Sequence, residues 1–170
     1  MLDGDVVFVC GAGVSAPQLP MFGPLVKRVF QQLAVTPTPG EQAAIDNFRF
    51  EEALGSLSRR LADPVRMYRE VSDILTVTSP ALEHHKTLLR LSRARDNRVI
   101  LVTTNFDTFF ERAIEESEGG GRGRSQSLGG QALPPPGSET CHGVIHLHGR
   151  VAEDRQEHPD GLGDLADNDF

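Results

Sequence analysis

Cysteine is scarce: Cys10 and Cys141 are the only two in 170 residues, too few for a disulfide framework. They are expected as free thiols in a reducing cytosol. Long apolar runs are missing as well, none approaching the roughly 18–20 residues that a spanning helix needs, which excludes a membrane protein of the helical kind. Cations are in deficit, 17 Lys+Arg against 24 Asp+Glu for a net charge of −7. That balance argues against direct nucleic-acid binding, which needs clustered positive charge to neutralise phosphates. The opening Met1-Leu2-Asp3-Gly4-Asp5 has neither the basic region of a secretory signal nor the arginines of a transit peptide. The expected location is therefore cytoplasmic. What is present, 38% hydrophobic and 24% charged residues, suits one domain large enough to bury a core.

Val6-Val7-Phe8-Val9-Cys10 is a short, β-branched run stopped by Gly11, the pattern of a strand buried on both faces in a parallel sheet. Helical spacing follows over 23–34, with Leu25, Val26, Val29, Phe30 and Leu33 on one side. A second helical stretch covers 41–61, with a break expected near Asn47 or Gly55. Pro64 can open a third helix to about Leu75, and Ser79 or Pro80 a fourth carrying Leu82, His85, Leu88, Leu89 and Leu91. The clearest strand is Arg98 to Thr104, ended by Asn105-Phe106-Asp107 and followed by a helix over 108–116. Residues 117–140 hold seven glycines and three consecutive prolines and read as a flexible loop. A last strand, Gly143 to His148, ends at Gly149.

Strands alternating with helices predict an α/β fold, a Rossmann-like open parallel sheet with helices on both faces. A helical insertion over about 40–78 follows the first glycine turn. In such sheets ligands bind outside the carboxyl ends of the strands. Three strands here end in polar or glycine clusters, which parallel neighbours would bring to one crevice.

Gly11-Ala12-Gly13-Val14-Ser15-Ala16 fits G-x-G-x-x-G/A directly after a strand, a turn that lets a pyrophosphate approach backbone N–H groups. A turn that only joins strand to helix stays open as the alternative. The dehydrogenase version is weak, since the next acid after Asp5 is Glu41 and the intervening chain is helical. A P-loop fares worse, because no Gly-Lys-Ser/Thr follows. Asn105 and Asp107 bring an amide and a carboxylate to a strand end, where they can grip ribose hydroxyls, orient water or cap the next helix. His146 and His148 alternate along their strand and so share a face; His148, before a glycine, can project into the crevice as a general base. Cys141, His142, His146 and His148 fit structural-zinc spacing poorly, and no metal is expected. His84, His85 and His158 suit surface or packing roles.

Taken in order, Gly11-Ala12-Gly13-Val14-Ser15, Thr104-Asn105-Phe106-Asp107 and His148-Gly149 resemble the sirtuin-like NAD-consuming superfamily. The segments Phe48–Leu57 and His85–Leu91, with the strand into Thr103-Thr104-Asn105-Phe106-Asp107, look most like its bacterial branch, whose members often hydrolyse NAD in antiphage defence. The resemblance implies NAD as substrate and a glycohydrolase that releases nicotinamide and ADP-ribose. It implies that Gly11, Ala12, Gly13 and Ser15 hold the phosphates, with Thr104 and Gly149 completing the contacts. Asn105 and Asp107 would then position the nicotinamide ribose and the attacking water, and His148 would be the base. A homo-oligomer, or a separate sensing domain or protein, is the implied partner. Deacylase sirtuins carry Gln before the Asn, where Thr104 stands here, and a four-cysteine zinc ribbon that two cysteines cannot build. Those departures favour hydrolysis over NAD-dependent protein deacylation. Relatives continue beyond the tail through a late glycine–serine strand end, so a C-terminally incomplete chain is expected. A non-catalytic nucleotide-binding or assembly module is the competing reading.

Overall fold

The structure is a computed structural model that describes residues 7–93, 99–118, 126–129 and 143–151. Among them, four short strands form one open parallel sheet: β1 (Phe8–Cys10), β2 (Ile100–Thr103), β3 (Gln126–Gly129) and β4 (Gly143–His146), in the order β1-β2-β4-β3. Registers pair Cys10 with Thr103 and Thr103 with His146. Three strands therefore end at one level, and the polar clusters that follow them meet there. Among the described residues, six α-helices accompany the sheet, consistent with a Rossmann-like α/β fold.

Five of those helices lie between β1 and β2: α1 (Phe22–Gln32), α2 (Pro39–Asp46), α3 (Phe50–Arg60), α4 (Pro64–Leu75) and α5 (Glu83–Leu91). The last, α6 (Phe109–Glu118), follows β2. The break expected near Asn47 or Gly55 falls at Asn47–Arg49, where Phe48 adopts φ 59°, while Gly55 stays inside α3. Thr38 caps α2: its hydroxyl accepts from Glu41 N–H, and the Glu41 carboxylate accepts from Thr38 N–H at 2.8 Å. The buried Glu41 also receives two bonds from the Arg60 guanidinium, at 2.7 and 2.9 Å, tying α2 to α3. Gly23 lets α1 approach α3 closely, because a Cβ there would lie 2.7 Å from the Phe50 ring and force that ring to shift. Val26, Val29, Leu54, Leu57, Met67 and Val71 make a dry centre among α1, α3 and α4.

Several expectations need correction. The last strand ends at His146, not His148; residues 147 and 148 form a turn, so the two histidines do not alternate along one strand. The fourth helix starts at Glu83 rather than at Ser79 or Pro80, and α1 stops at Gln32. Within 117–140, read as loop, α6 runs on to Glu118 and β3 pairs with β4; a parallel partner strand supplies the order that composition could not signal. Cys141, His142, His158 and the acidic tail lie outside the described residues. Among the described residues, no helix is long and apolar enough to cross a membrane.

Thr103, fully buried at the end of β2, uses its hydroxyl twice. It donates to the Cys10 carbonyl at 3.2 Å and accepts from Asn105 N–H at 3.0 Å. Thr103→Val keeps the shape and strands that buried N–H, so a loss of about 1–2 kcal/mol is expected. Urea unfolding checks this, as a lower midpoint at unchanged slope. An unmoved midpoint would mean that the N–H finds another partner.

Candidate functional site

A cavity of about 500 Å³ opens at the carboxyl ends of β1, β2 and β4. One wall is polar, made by Ser15, Thr104, Asn105, Asp107 and His148, and the other apolar, made by Leu19, Pro20, Phe22, Leu25 and Leu75. Ala12 and Phe106 also line it, and Glu51 adds a carboxylate at its edge. The three motifs thus converge on one crevice, as the strand order requires. A Cβ on Gly13 would meet nothing within 4 Å, and one on Gly11 only Thr104 Oγ1 at 3.6 Å. Neither glycine has a positive φ. What they contribute is room beside the backbone, which suits close approach by a ligand. Gly149, which does have a positive φ of 78°, turns the chain after His148.

Ser15 is the hub. Its hydroxyl donates to Asp107 Oδ2 at 2.9 Å, and the facing atom of Asn105, 3.2 Å away, must then be the Nδ2 donor. The remaining lone pair faces His85 Nε2 at 3.3 Å, so that nitrogen carries the proton. The sequence suits His85 to a surface or packing role. It is fully buried and edge-packed on Phe109 and Phe110, with ring centroids 5.4 and 4.8 Å away, yet it also reaches this hub. The segment leading into α5 is held by Gln18, whose amide exchanges two bonds with the backbone of Ala81, and by Arg112, which holds the carbonyls of Val77 and Thr78. Burial and the neighbouring His84 push the His85 pKa down to about 4 against the opposing pull of Glu111, so the ring is neutral at pH 7. Its Nδ1 has no hydrogen-bond partner among the described residues.

Asp107 has both oxygens engaged, Oδ2 by Ser15 and Oδ1 by Phe109 N–H at 3.1 Å at the start of α6. The helix-capping role weighed for it is therefore present, together with the link to Ser15. Burial raises its carboxyl pKa, and those two hydrogen bonds pull against the shift.

His146 sits behind the polar wall with no exposure. Its Nδ1 lies 2.9 Å from the Asn105 carbonyl and its Nε2 lies 2.8 Å from Glu111 Oε1. Burial opposes its charge, but the Glu111 carboxylate and the Asn105 carbonyl outweigh burial and Arg150, and the pKa rises. His148, by contrast, is exposed on the crevice rim. Sequence reasoning had no signal for Glu111 or for the burial of His146. Neither carries a local pattern that distinguishes it from a surface residue.

Asn105 connects these parts. Its N–H is held by Thr103, its carbonyl by His146 and its Nδ2 by Ser15, while Oδ1 has no partner among the described residues. A buried amide oxygen left unpaired costs about 1–3 kcal/mol.

Comparison with known families bears on the second and third motifs. Residues 99–169 match the SIR2-like domain family. That SIR2-like stretch contains Asn105, Asp107, Glu111, His146 and His148, whereas Ser15 and His85 come from the chain before it. The fold closes the two parts into one site. The chain is also 46% identical over 155 residues, 91% of its length, to the uncharacterized protein y4cA of Sinorhizobium fredii (strain NBRC 101917 / NGR234), and spans 13% of that relative's length. No solved structure matches it significantly.

Proposed function

We propose that this chain forms the NAD-cleaving site of a sirtuin-like NAD glycohydrolase. The observation that carries the reading is the orphaned, buried Oδ1 of Asn105, a residue lining a crevice that also gathers Ser15, Asp107 and His148 at the ends of parallel strands. The SIR2-like match over 99–169 supports it, since that superfamily includes NAD-dependent enzymes. The room beside Gly13 suits the pyrophosphate, and the apolar wall suits a nicotinamide ring. Cleavage breaks the bond between nicotinamide and ribose, with the electron pair leaving on nicotinamide. Asn105 and Asp107 place dipole and charge beside the electron-poor ribose carbon. Water adds to that carbon and gives its proton to His148, which returns it to solvent. A role for the whole protein in antiphage defence, with an oligomer or a sensing partner, belongs to this proposal through the resemblance alone.

Incubating the purified chain with NAD and resolving the products by chromatography tests the reading. Nicotinamide and ADP-ribose are expected to appear together, and His148→Ala is expected to slow their release by about a hundredfold or more. Release unchanged in the variant would remove His148 as the base. Tight NAD or ADP-ribose binding without any release would favour the alternative, a nucleotide-binding module. One observation leans that way: both Asp107 oxygens already bond within the protein.

A further inference from the structure

The buried pair behind the polar wall has no part in the chemistry just described, yet its geometry is specific. A backbone carbonyl can only accept, so the 2.9 Å contact with Asn105 O requires a proton on His146 Nδ1. On the other side of the ring, the 2.8 Å contact with the Glu111 carboxyl oxygen also requires a proton between the two atoms. His146 is fully buried and Glu111 nearly so, so neither bond is shared with bulk water. Leu147 N–H bonds the Thr103 carbonyl at 2.9 Å and Val151 N–H the Phe106 carbonyl at 2.8 Å. The end of β4 thereby brackets the turn that carries Asn105.

We propose that the His146–Glu111 pair is a positioning device for Asn105: Glu111 orients the imidazole, and its Nδ1–H holds the Asn105 carbonyl. With Thr103 on the N–H and Ser15 on Nδ2, this third tie leaves Oδ1 as the single polar atom of Asn105 without a partner among the described residues. The inference rests on the NAD reading only in taking Asn105 as the group that meets substrate. Misplacement of such a group by about 1 Å can cost about a hundredfold in rate.

Two substitutions separate the two ends of the ring. In His146→Asn the amide nitrogen falls near the Nδ1 position and keeps a donor for the carbonyl. In His146→Gln it falls near Nε2 and keeps only the Glu111 side. Positioning through the carbonyl predicts that Gln lowers kcat about tenfold or more with KM for NAD within threefold, and that Asn recovers most of that loss. The carbonyl ¹³C resonance of Asn105 should shift in the Gln variant and stay near the wild-type value in the Asn variant. In the unaltered protein, a long-range ¹H–¹⁵N spectrum should show Nδ1 of His146 protonated. Equal kcat and equal carbonyl shifts in the two variants would overturn the proposal, as would an unprotonated Nδ1. If neither variant folds, that ring spectrum decides by itself. Absence of nicotinamide release from wild type would overturn the NAD reading, while the carbonyl resonance would still decide the positioning.

Discussion

Asn105→Ala is expected to lower nicotinamide release from NAD by about a hundredfold or more, on the scale of removing one preorganised polar group from an active site. The fold should survive the change. Two of the three bonds that hold this residue are made by its backbone, to Thr103 Oγ1 and His146 Nδ1, and alanine keeps both. Only the 3.2 Å bond from Nδ2 to Ser15 and the unpartnered Oδ1 are lost. Ser15 retains its bond to Asp107 and its contact with His85. Steady-state kinetics beside thermal unfolding checks the prediction. Release within a few-fold of wild type would remove Asn105 from the chemistry, and a matching collapse in melting temperature would make its role structural.

The second large effect is on stability in acid. The folded His85 has its pKa pushed down to about 4 from 6.5, because burial among Phe109 and Phe110 and the neighbouring His84 disfavour a charged ring more than Glu111 favours it. An unfolded chain takes up the proton near 6.5, so the contribution of His85 is complete above that value. It is lost as pH falls toward about 4, and reaches about 3 kcal/mol at the full shift. Asp107 works in the opposite sense. Its raised pKa makes proton uptake favour the folded state at the acid end. His146 acts at the other end of the range: its raised pKa gives stability that is complete below 6.5 and lost as pH rises through the folded value. His85→Gln isolates the first contribution, since the Gln amide nitrogen can keep the donor to Ser15. Denaturant titrations at pH 7 and 4.5 should show wild type losing more stability than the variant, by most of that amount. Parallel loss in both would assign the acid limb to other groups.

What the sequence by itself determined is local. The β-branched runs ending at Cys10 and Thr103, the proline opening α4 at Pro64 and the apolar stripe of α1 are each set by neighbours a few residues away. Periodicity reads such features directly, because burial of one face repeats with the element's own pitch. The meeting of the three motifs followed from parallel pairing, which the alternation of elements already implied. The tertiary structure alone decided which polar groups pair. Ser15 meets His85, Asn105 and Asp107 across 70, 90 and 92 residues of chain. Those bonds depend on how α5 and α6 dock beside the sheet, with Phe109 and Phe110 closing around His85. The same holds for His146. Its face was inferred from an alternation that stops with β4 at His146, and its partner Glu111 lies on a helix whose docking no local pattern records. Buried polar groups must find partners wherever the fold brings them, and that requirement is satisfied in three dimensions rather than along the chain.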